Sequence, residues 1–196
     1  MSELDPVLAA IRREADPNRK NLRVAELVCR CFREIGCEPV VVGGSAVEFY
    51  TDGRYVSGAV DLCFTGPRLP TPREREEIMG RLGKPLGIRR CEVAGVLVDL
   101  LGRIETTART PFQTLGELQL IQIEDLIAER LLVATVPTRD ESRLEVAKVL
   151  IALVAAGLVV TDRAELLPVA DSPDYRVGAE LRMLLAEFEP TGGVGQ

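Results

Sequence analysis

The sequence has no histidine among its 196 residues, and that absence narrows its possible chemistry. Without histidine the chain cannot form Ser-His or Cys-His nucleophile pairs, histidine-based acid–base catalysis or zinc sites that contain histidine. Any reaction that it supports must therefore use carboxylates, Lys or Arg, hydroxyls, thiols or a metal held by oxygen ligands.

Long apolar runs are also missing, since no stretch approaches the roughly 20 residues that span a bilayer. The longest candidate, residues 149–160, contains Gly157 and predicts a buried helix that runs into a turn. The start of the chain carries Glu3 and Asp5, where a signal peptide would be basic. We therefore expect a cytoplasmic protein that makes no membrane contact.

A basic surface and a disulfide framework are not indicated either. The net charge of −6 argues against a protein that coats nucleic acid, although it leaves room for a local basic cleft. Five cysteines is an odd number, and in the cytoplasm we expect buried free thiols, with one loose zinc set as the alternative. They are Cys29, Cys31, Cys37, Cys63 and Cys91.

Hydrophobic residues make up 46% of the chain, which is enough for a core at this length. Periodicity predicts an α/β (α+β) fold, in which a mixed sheet is flanked by helices. We place a core with N-terminal helices at residues 1–121 and a helical region at residues 122–196. The predicted strands cover 38–42, 60–64, 88–93, 96–101 and 118–121, and the main predicted helices cover 19–35, 71–80, 123–136, 141–156 and 176–188.

Three features of the predicted sheet point to chemistry. One strand ends in Gly43-Gly44-Ser45 where a helix begins, a second strand carries Asp61, and a third carries Asp99 among aliphatic residues. Glycines let the backbone approach a ligand, and a helix N-terminus offers N–H groups to an anion. Carboxylates on adjacent strands converge on cations such as Mg²⁺. Taken singly, an ordinary turn, a strand cap and an exposed edge residue would also explain them.

The motif resembles a known signature. The run Val40-Val41-Val42-Gly43-Gly44-Ser45-Ala46, followed by Ala59-Val60-Asp61-Leu62, is similar to that of the DNA-polymerase-beta-like nucleotidyltransferase superfamily. The resemblance covers about residues 40–147, and the segment from Tyr50 to Asp61 resembles bacterial members of the toxin–antitoxin or minimal type. It implies the nucleotidyltransferase fold, with Asp99 as the acidic residue of a later strand.

The resemblance also implies roles for individual residues. Asp61 and Asp99 would be catalytic and would bind Mg²⁺ (or Mn²⁺), while Gly43, Gly44 and Ser45 would hold the triphosphate of a nucleoside triphosphate. On the helical region, Arg130 would neutralise phosphate charge, with Lys148 as a second candidate. The alternative for Arg130 is a solvated helix residue.

Position 59 departs from the family pattern. Where the family has the first aspartate of an Asp-x-Asp pair, this chain has Ala59, and a methyl group cannot coordinate a cation. The loss should remove most transferase activity. An engineered inactivating substitution and a naturally decayed pseudoenzyme both explain it.

Three functions remain open. The first is a nucleotidyltransferase, disabled at Ala59, that transfers a nucleotidyl group from an NTP to an RNA (tRNA) or protein acceptor, as the toxin of a pair with a cognate antitoxin. The second is a non-catalytic nucleotide-binding module with a regulatory or antitoxin-like role. The third is a purely structural α/β domain whose match to the signature is accidental.

Overall fold

A computed structural model describes residues 4–188 of the chain. Residues 1–3, which include Glu3 of the acidic start, and residues 189–196 lie outside the described part. The chain divides into two compact units. The first comprises the residues up to Glu105 together with Thr114–Ile121, and the second comprises Thr106–Gln113 and the residues from Gln122 onward.

The first unit is built on a seven-stranded mixed sheet with the strand order β3-β4-β5-β2-β1-β7-β6. Strands β1 and β2 pair antiparallel, as do β3 with β4 and β4 with β5, whereas β2 pairs parallel with β5 and β1 with β7. The predicted α/β class with a mixed sheet flanked by helices is confirmed. The elements are α1 Leu4–Arg12, α2 Pro17–Glu34, β1 Glu38–Val42, α3 Gly43–Tyr50, β2 Val60–Thr65, α4 Pro72–Leu82, β3 Lys84–Pro85, β4 Arg90–Val93, β5 Val96–Arg103, β6 Gln113–Leu115 and β7 Leu118–Leu120.

Local sequence explains the long helix that packs on this sheet. Asp16 caps α2 by accepting a hydrogen bond from the backbone N–H of Arg19, and Pro17 occupies the first turn, where its missing N–H costs nothing. The buried side of α2 includes Phe32, whose ring meets Phe64 of β2 edge-to-face with the ring centroids 5.0 Å apart. The core of the first unit therefore lies between α2 and the sheet.

Up to residue 188 the second unit contains four helices, of which three were predicted. They are α5 Ile123–Thr135, α6 Glu141–Ala155, α7 Arg163–Asp171 and α8 Gly178–Phe188. The predicted helix runs into a turn at Gly157 as expected, since α6 ends at Ala155 and Gly157 has a φ of +67°. Beyond the turn, the side chains of Leu158 and Val160 are not buried but 70% and 74% exposed. Within residues 4–188 no helix is long and apolar enough to cross a membrane.

Candidate functional site

Four residues form one row across neighbouring strands of the sheet. Arg90 of β4 pairs with Asp99 of β5, Asp99 pairs with Asp61 of β2, and Asp61 pairs with Val42 of β1. Directly opposed residues of adjacent strands point to the same face of a sheet, and adjacent strands lie about 4.8 Å apart. The register therefore places the two predicted carboxylates side by side, with an arginine at one end of the row and the start of α3 at the other.

Gly43 brings the backbone against the carboxylate of Asp61. Its φ is +60°, in the left-handed region that favours glycine. A Cβ atom at this position would lie 2.8 Å from Oδ2 of Asp61, which is closer than real side chains approach. The first turn of α3 therefore touches the Asp61 carboxylate because residue 43 has no side chain.

The start of α3 lacks a side-chain cap. Its N-cap residue is Val42, which makes no capping hydrogen bond, so the first N–H groups of the helix depend on other partners. The Ser45 hydroxyl is fully buried, donates to the carbonyl of Val42 at 2.9 Å and accepts from the backbone N–H of Asp61 at 2.9 Å. This hydroxyl joins the end of β1 to β2. A phosphate contact through Gly44 or through the Ser45 N–H stays a prediction.

Position 59 lies close to Asp61 in the chain. Ala59 is in the bend that immediately precedes β2, two residues before Asp61. It is only partly buried, so an aspartate there would have access to the row. In residues 4–188 no group of three or more His, Cys, Asp or Glu side chains could hold a metal.

The donor set is consequently two carboxylates rather than three. Mg²⁺ is usually bound by one or two carboxylates, with substrate phosphates and waters completing the octahedron. Asp61 and Asp99 fit one such cation. An arrangement with two cations would need a third carboxylate, and position 59 is an alanine.

Arg90 is a site residue that the sequence analysis missed. Its Nε donates to Oδ1 of Asp99 and its Nη2 to Oδ2, both at 2.7 Å, and the two side chains are 52% and 13% exposed respectively. The hydrogen bonds to Asp99, followed by the charges of Asp99 and Asp61, raise the pKa of Arg90. A signal was present in the sequence. A two-residue turn at Ala94-Gly95 pairs Val93 with Val96, and counting three residues outward reaches Arg90 and Asp99.

A second missed residue, Glu48 of α3, supports the segment that leads to β2. Its carboxylate is fully buried and accepts from Nδ2 of Asn21 at 3.0 and 3.1 Å and from the N–H of Ser57 at 2.9 Å. The Ser57 hydroxyl in turn donates to the carbonyl of Ala59 at 2.6 Å. Glu48 therefore fixes the approach to position 59 without facing solvent.

A cavity of about 470 Å³ opens between α4 and the segment that joins β3 to β4. It lies on the face of the sheet to which Leu100 of β5 points, opposite the face of Asp99. Arg75, Arg89 and Arg90 line it, whereas Asp61 and Asp99 do not. Arg90 therefore faces the carboxylate pair and also borders open space.

The two basic residues expected from the helical region belong to the second unit. The Arg130 side chain is 17% exposed, which does not suit a solvated helix residue. Its Nη2 pairs with Glu129, and its buried Nε has no hydrogen-bond partner among the described residues. Lys148 pairs with Glu145 at 3.1 Å. Their contact with phosphate stays a prediction.

The five cysteines are free thiols, four of them buried as expected, whereas Cys63 is only partly buried. Burial raises the pKa of Cys29 to about 12 and that of Cys91 to about 11. A thiol needs to ionise to act as a nucleophile, so these two are inert at neutral pH.

Comparison with known proteins supports the fold. No family model and no curated protein sequence matches the chain. Among solved structures, the antibiotic-resistance factor ANT(2'')-Ia in solution matches with a TM-score of 0.53 and 16% identity, over 87% of this chain and 96% of that one. An antigenic nucleotidyltransferase-like protein from Paracoccidioides brasiliensis matches with a TM-score of 0.55 and 15% identity, over 88% and 89%. At these identities the likeness shows a nucleotidyltransferase fold, as the sequence predicted.

Proposed function

We propose that this chain binds a nucleoside triphosphate in a site built for nucleotidyl transfer, and that Ala59 disables the transfer. The observation that carries the proposal is the single row in which Asp61 and Asp99 lie side by side, next to the glycine turn that begins α3. The fold shared with two nucleotidyltransferase-type structures supports the same conclusion.

The phosphates occupy the end of the row nearest to α3. The first N–H groups of that helix point toward its N-terminal end and attract anions, and the absence of a capping side chain leaves room for a phosphate oxygen. Gly43 and Gly44 allow the phosphate to reach the backbone.

Asp61 and Asp99 supply the carboxylates for one Mg²⁺ or Mn²⁺. A bound divalent cation would neutralise phosphate charge and polarise the phosphorus centre for attack. The chain's own contribution is to hold these carboxylates in fixed register on two central strands. An aspartate at position 59 would bring a third carboxylate close to Asp61 in the chain.

The acceptor that we assign to the active form is a hydroxyl group of an RNA, such as tRNA, or of a protein. The antibiotic-resistance factor among the structural neighbours shows that this fold also occurs in antibiotic resistance, but nothing in the described row selects a small acceptor. The resemblance of residues 50–61 to toxin–antitoxin members supports a toxin-type role with a cognate antitoxin as partner.

One observation favours a second function. Because Ala59 removes a ligand while the rest of the row is intact, the chain also suits a non-catalytic nucleotide-binding module with a regulatory or antitoxin-like role. In this alternative the chain binds a nucleotide but catalyses no transfer.

Reversion of position 59 separates the two functions. Each α-labelled nucleoside triphosphate is incubated with Mg²⁺, total tRNA and cell protein, together with the unsubstituted chain, Ala59→Asp or Ala59→Asn. The amide variant is the matched control, because it restores the shape of aspartate without its charge. We expect label transfer only with Ala59→Asp, and the labelled band then identifies the acceptor class. If Ala59→Asp binds nucleotide but labels nothing, the transferase proposal fails and the binding module replaces it.

A further inference from the structure

We propose that the hydroxyl of Tyr55 donates a hydrogen bond to the polyphosphate of the nucleoside triphosphate and seats it at the start of α3. The inference rests on the proposed nucleotide site and adds a residue to which neither the signature nor the structural neighbours give a role. The cation stays with Asp61 and Asp99, and the phosphate gains an uncharged donor from the protein.

The side chain of Tyr55 lies against the first turn of α3. A Cβ atom built on Gly44, the second residue of the helix, would be 3.6 Å from Oη of Tyr55 and 3.8 Å from its Cε1. Because Cα–Cβ bonds tilt toward the helix N-terminus, these atoms lie at the end where the proposed phosphate binds. Since a Cβ lies about 2.5 Å from the nitrogen of its own residue, Oη lies within about 6 Å of the Gly44 nitrogen. Two hydrogen bonds of about 2.8 Å, with a phosphate between them, span that distance.

The hydroxyl of Tyr55 has its donor to spare. Within residues 4–188 the hydrogen bond of this residue is made by its backbone N–H, and the hydroxyl makes none. The residue is partly buried, and its hydroxyl is not among the buried oxygens that lack a partner in the described part, so solvent reaches it. The neighbouring hydroxyl of Ser57 is already engaged, since it donates to the carbonyl of Ala59 at 2.6 Å. The phenol O–H of Tyr55 is therefore a donor that a ligand can use.

Two buried residues at the C-terminal end of α3 hold the segment that carries Tyr55. The backbone N–H of Tyr55 donates to Oγ1 of Thr51, and that hydroxyl donates to the carbonyl of Glu48, both at 3.2 Å. Beyond Tyr55, the N–H of Ser57 donates to the carboxylate of Glu48 at 2.9 Å. Thr51 and Glu48 are both almost completely buried. The backbone that carries the ring is therefore in place before a ligand arrives, so binding requires little further ordering there.

The two glycines of the turn face different partners. Position 43 faces the carboxylate of Asp61, whereas position 44 faces the hydroxyl of Tyr55. A phosphate seated on this glycine pair would have the cation held by the carboxylates on one side and the hydroxyl on the other. A hydroxyl carries no charge, so it does not compete with the cation for the carboxylates. Because position 59 is an alanine, one cation rather than two neutralises the phosphates, and donors from the protein matter more.

Equilibrium binding of a fluorescent nucleoside triphosphate at a fixed Mg²⁺ concentration tests the proposal. We compare the unsubstituted chain with Tyr55→Phe, which keeps the ring and removes only the hydroxyl. The matched control is Tyr50→Phe, since the hydroxyl of Tyr50 donates to the carbonyl of Ile121 at 2.7 Å and so has a structural partner. We expect Tyr55→Phe to weaken binding about tenfold, the effect of losing one hydrogen bond to a charged group, and Tyr50→Phe to change it less than twofold. In thermal melting we expect the reverse order, with the larger loss in Tyr50→Phe.

Displacement by inorganic tripolyphosphate shows which part of the nucleotide the hydroxyl meets. Tripolyphosphate has the phosphates of the nucleotide without its sugar or base, and it is titrated against the bound fluorescent nucleotide at the same free Mg²⁺ concentration. We expect its dissociation constant to rise in Tyr55→Phe by about the same factor as that of the nucleotide. An unchanged constant for tripolyphosphate, with weaker nucleotide binding, would place the hydroxyl at the sugar or the base and contradict the proposal.

The inference is overturned if Tyr55→Phe binds the nucleotide as tightly as the unsubstituted chain does. It is equally overturned if Tyr55→Phe lowers the melting temperature more than Tyr50→Phe does, because the hydroxyl would then be structural. Both results leave the proposed function standing, since the unsubstituted chain still binds nucleotide. If the unsubstituted chain binds no nucleoside triphosphate with or without Mg²⁺, the proposed function itself fails and the inference fails with it.

Discussion

Two pairs of acidic residues, one in each unit, show how a structural carboxylate differs from a candidate site. In the second unit Glu124 and Asp125 at the start of α5 are almost completely buried, with 1% and 0% exposure. Asp125 accepts from the N–H groups of Thr107 and Ala108 and from the Tyr175 hydroxyl. In the first unit Asp61 and Asp99 are only partly buried, and the partner of Asp99 is a half-exposed arginine.

The two pairs differ in how far their carboxylate oxygens are already satisfied by neighbouring protein groups. Glu124 accepts hydrogen bonds from the hydroxyls of Thr110 and Thr161 and from the N–H of Asp162. Neutral donors therefore satisfy the acceptor oxygens of Glu124, as they do those of Asp125. Such carboxylates hold loops onto a helix. The Asp61–Asp99 pair instead lies beside an uncapped helix start and a half-exposed arginine. A search for site residues by burial alone would therefore have placed Glu124 and Asp125 ahead of Asp61 and Asp99.

The largest effect that we expect is on stability, at Asp125. Asp125→Ala leaves two backbone N–H groups and one hydroxyl without an acceptor in a buried place, so we expect a loss of about 3 kcal/mol in the free energy of unfolding. Urea unfolding followed by circular dichroism measures it. A loss below about 1 kcal/mol would contradict the structural role and would weaken the comparison.

Gly43 should show the next largest effect. Gly43→Ala forces an L-residue into a positive φ and brings its Cβ against Oδ2 of Asp61, so we expect a loss of about 1–2 kcal/mol. Gly44→Ala is the matched control, because its Cβ would make ordinary contacts at 3.4 Å or more. Equal unfolding midpoints for the two variants would show that the turn does not press against Asp61.

Alkaline pH should act on the second unit through Tyr175. Burial, together with the charge of Asp125, raises the pKa of Tyr175 above its ordinary value. A group whose pKa is raised by folding contributes stability below its unfolded pKa, here about 10, and loses it as pH rises further. Cys29 and Cys91 act in the same direction from about pH 9. We expect the unfolding free energy to fall above pH 9, and to fall less steeply above pH 10 in Tyr175→Phe. Identical slopes for the two proteins would exclude the contribution of Tyr175.

The smallest effect should come from Asp99. Its pair with Arg90 lies partly in solvent, where such ion pairs contribute little, so we expect Asp99→Asn to cost under about 1 kcal/mol in the same urea assay. The difference in unfolding free energy between Asp99→Asn and Asp125→Ala tests the comparison of the two acidic pairs directly. A cost equal to that of Asp125→Ala would make Asp99 a structural carboxylate as well.

Local signals in the sequence predicted most of the fold. Strand β1 was predicted with its observed bounds, since its β-branched run ends abruptly at Gly43. Helix α4 was predicted from its start, and Thr71 and Glu74 form the reciprocal hydrogen bonds of a capping box. Helix α7 was missed, since Pro168 within it interrupts the helical pattern. The two-residue strand β3 is too short to leave a periodic signal.

The site was only half predictable, for a physical reason. Asp61 and Asp99 stood out as acidic residues on apolar strands, but their partners depend on long-range pairing. Glu48 meets Asn21 across 27 residues of chain, and no local pattern indicates that contact. Arg90 could have been found, because the Ala94-Gly95 turn fixes the register that brings it to Asp99. Register, rather than residue type, was the missing information.

Hydrogen exchange with and without a nucleoside triphosphate tests the central claim most directly. The unsubstituted chain is labelled in deuterated buffer with Mg²⁺, and exchange is followed by mass spectrometry in peptides covering residues 42–46, 59–63 and 88–100. Peptides covering 106–113 serve as the internal reference. We predict slower exchange at the start of α3 and along the row when nucleotide is present, and an unchanged rate in the reference. Unchanged exchange in all three site peptides at saturating nucleotide would contradict the account and leave the purely structural domain in its place.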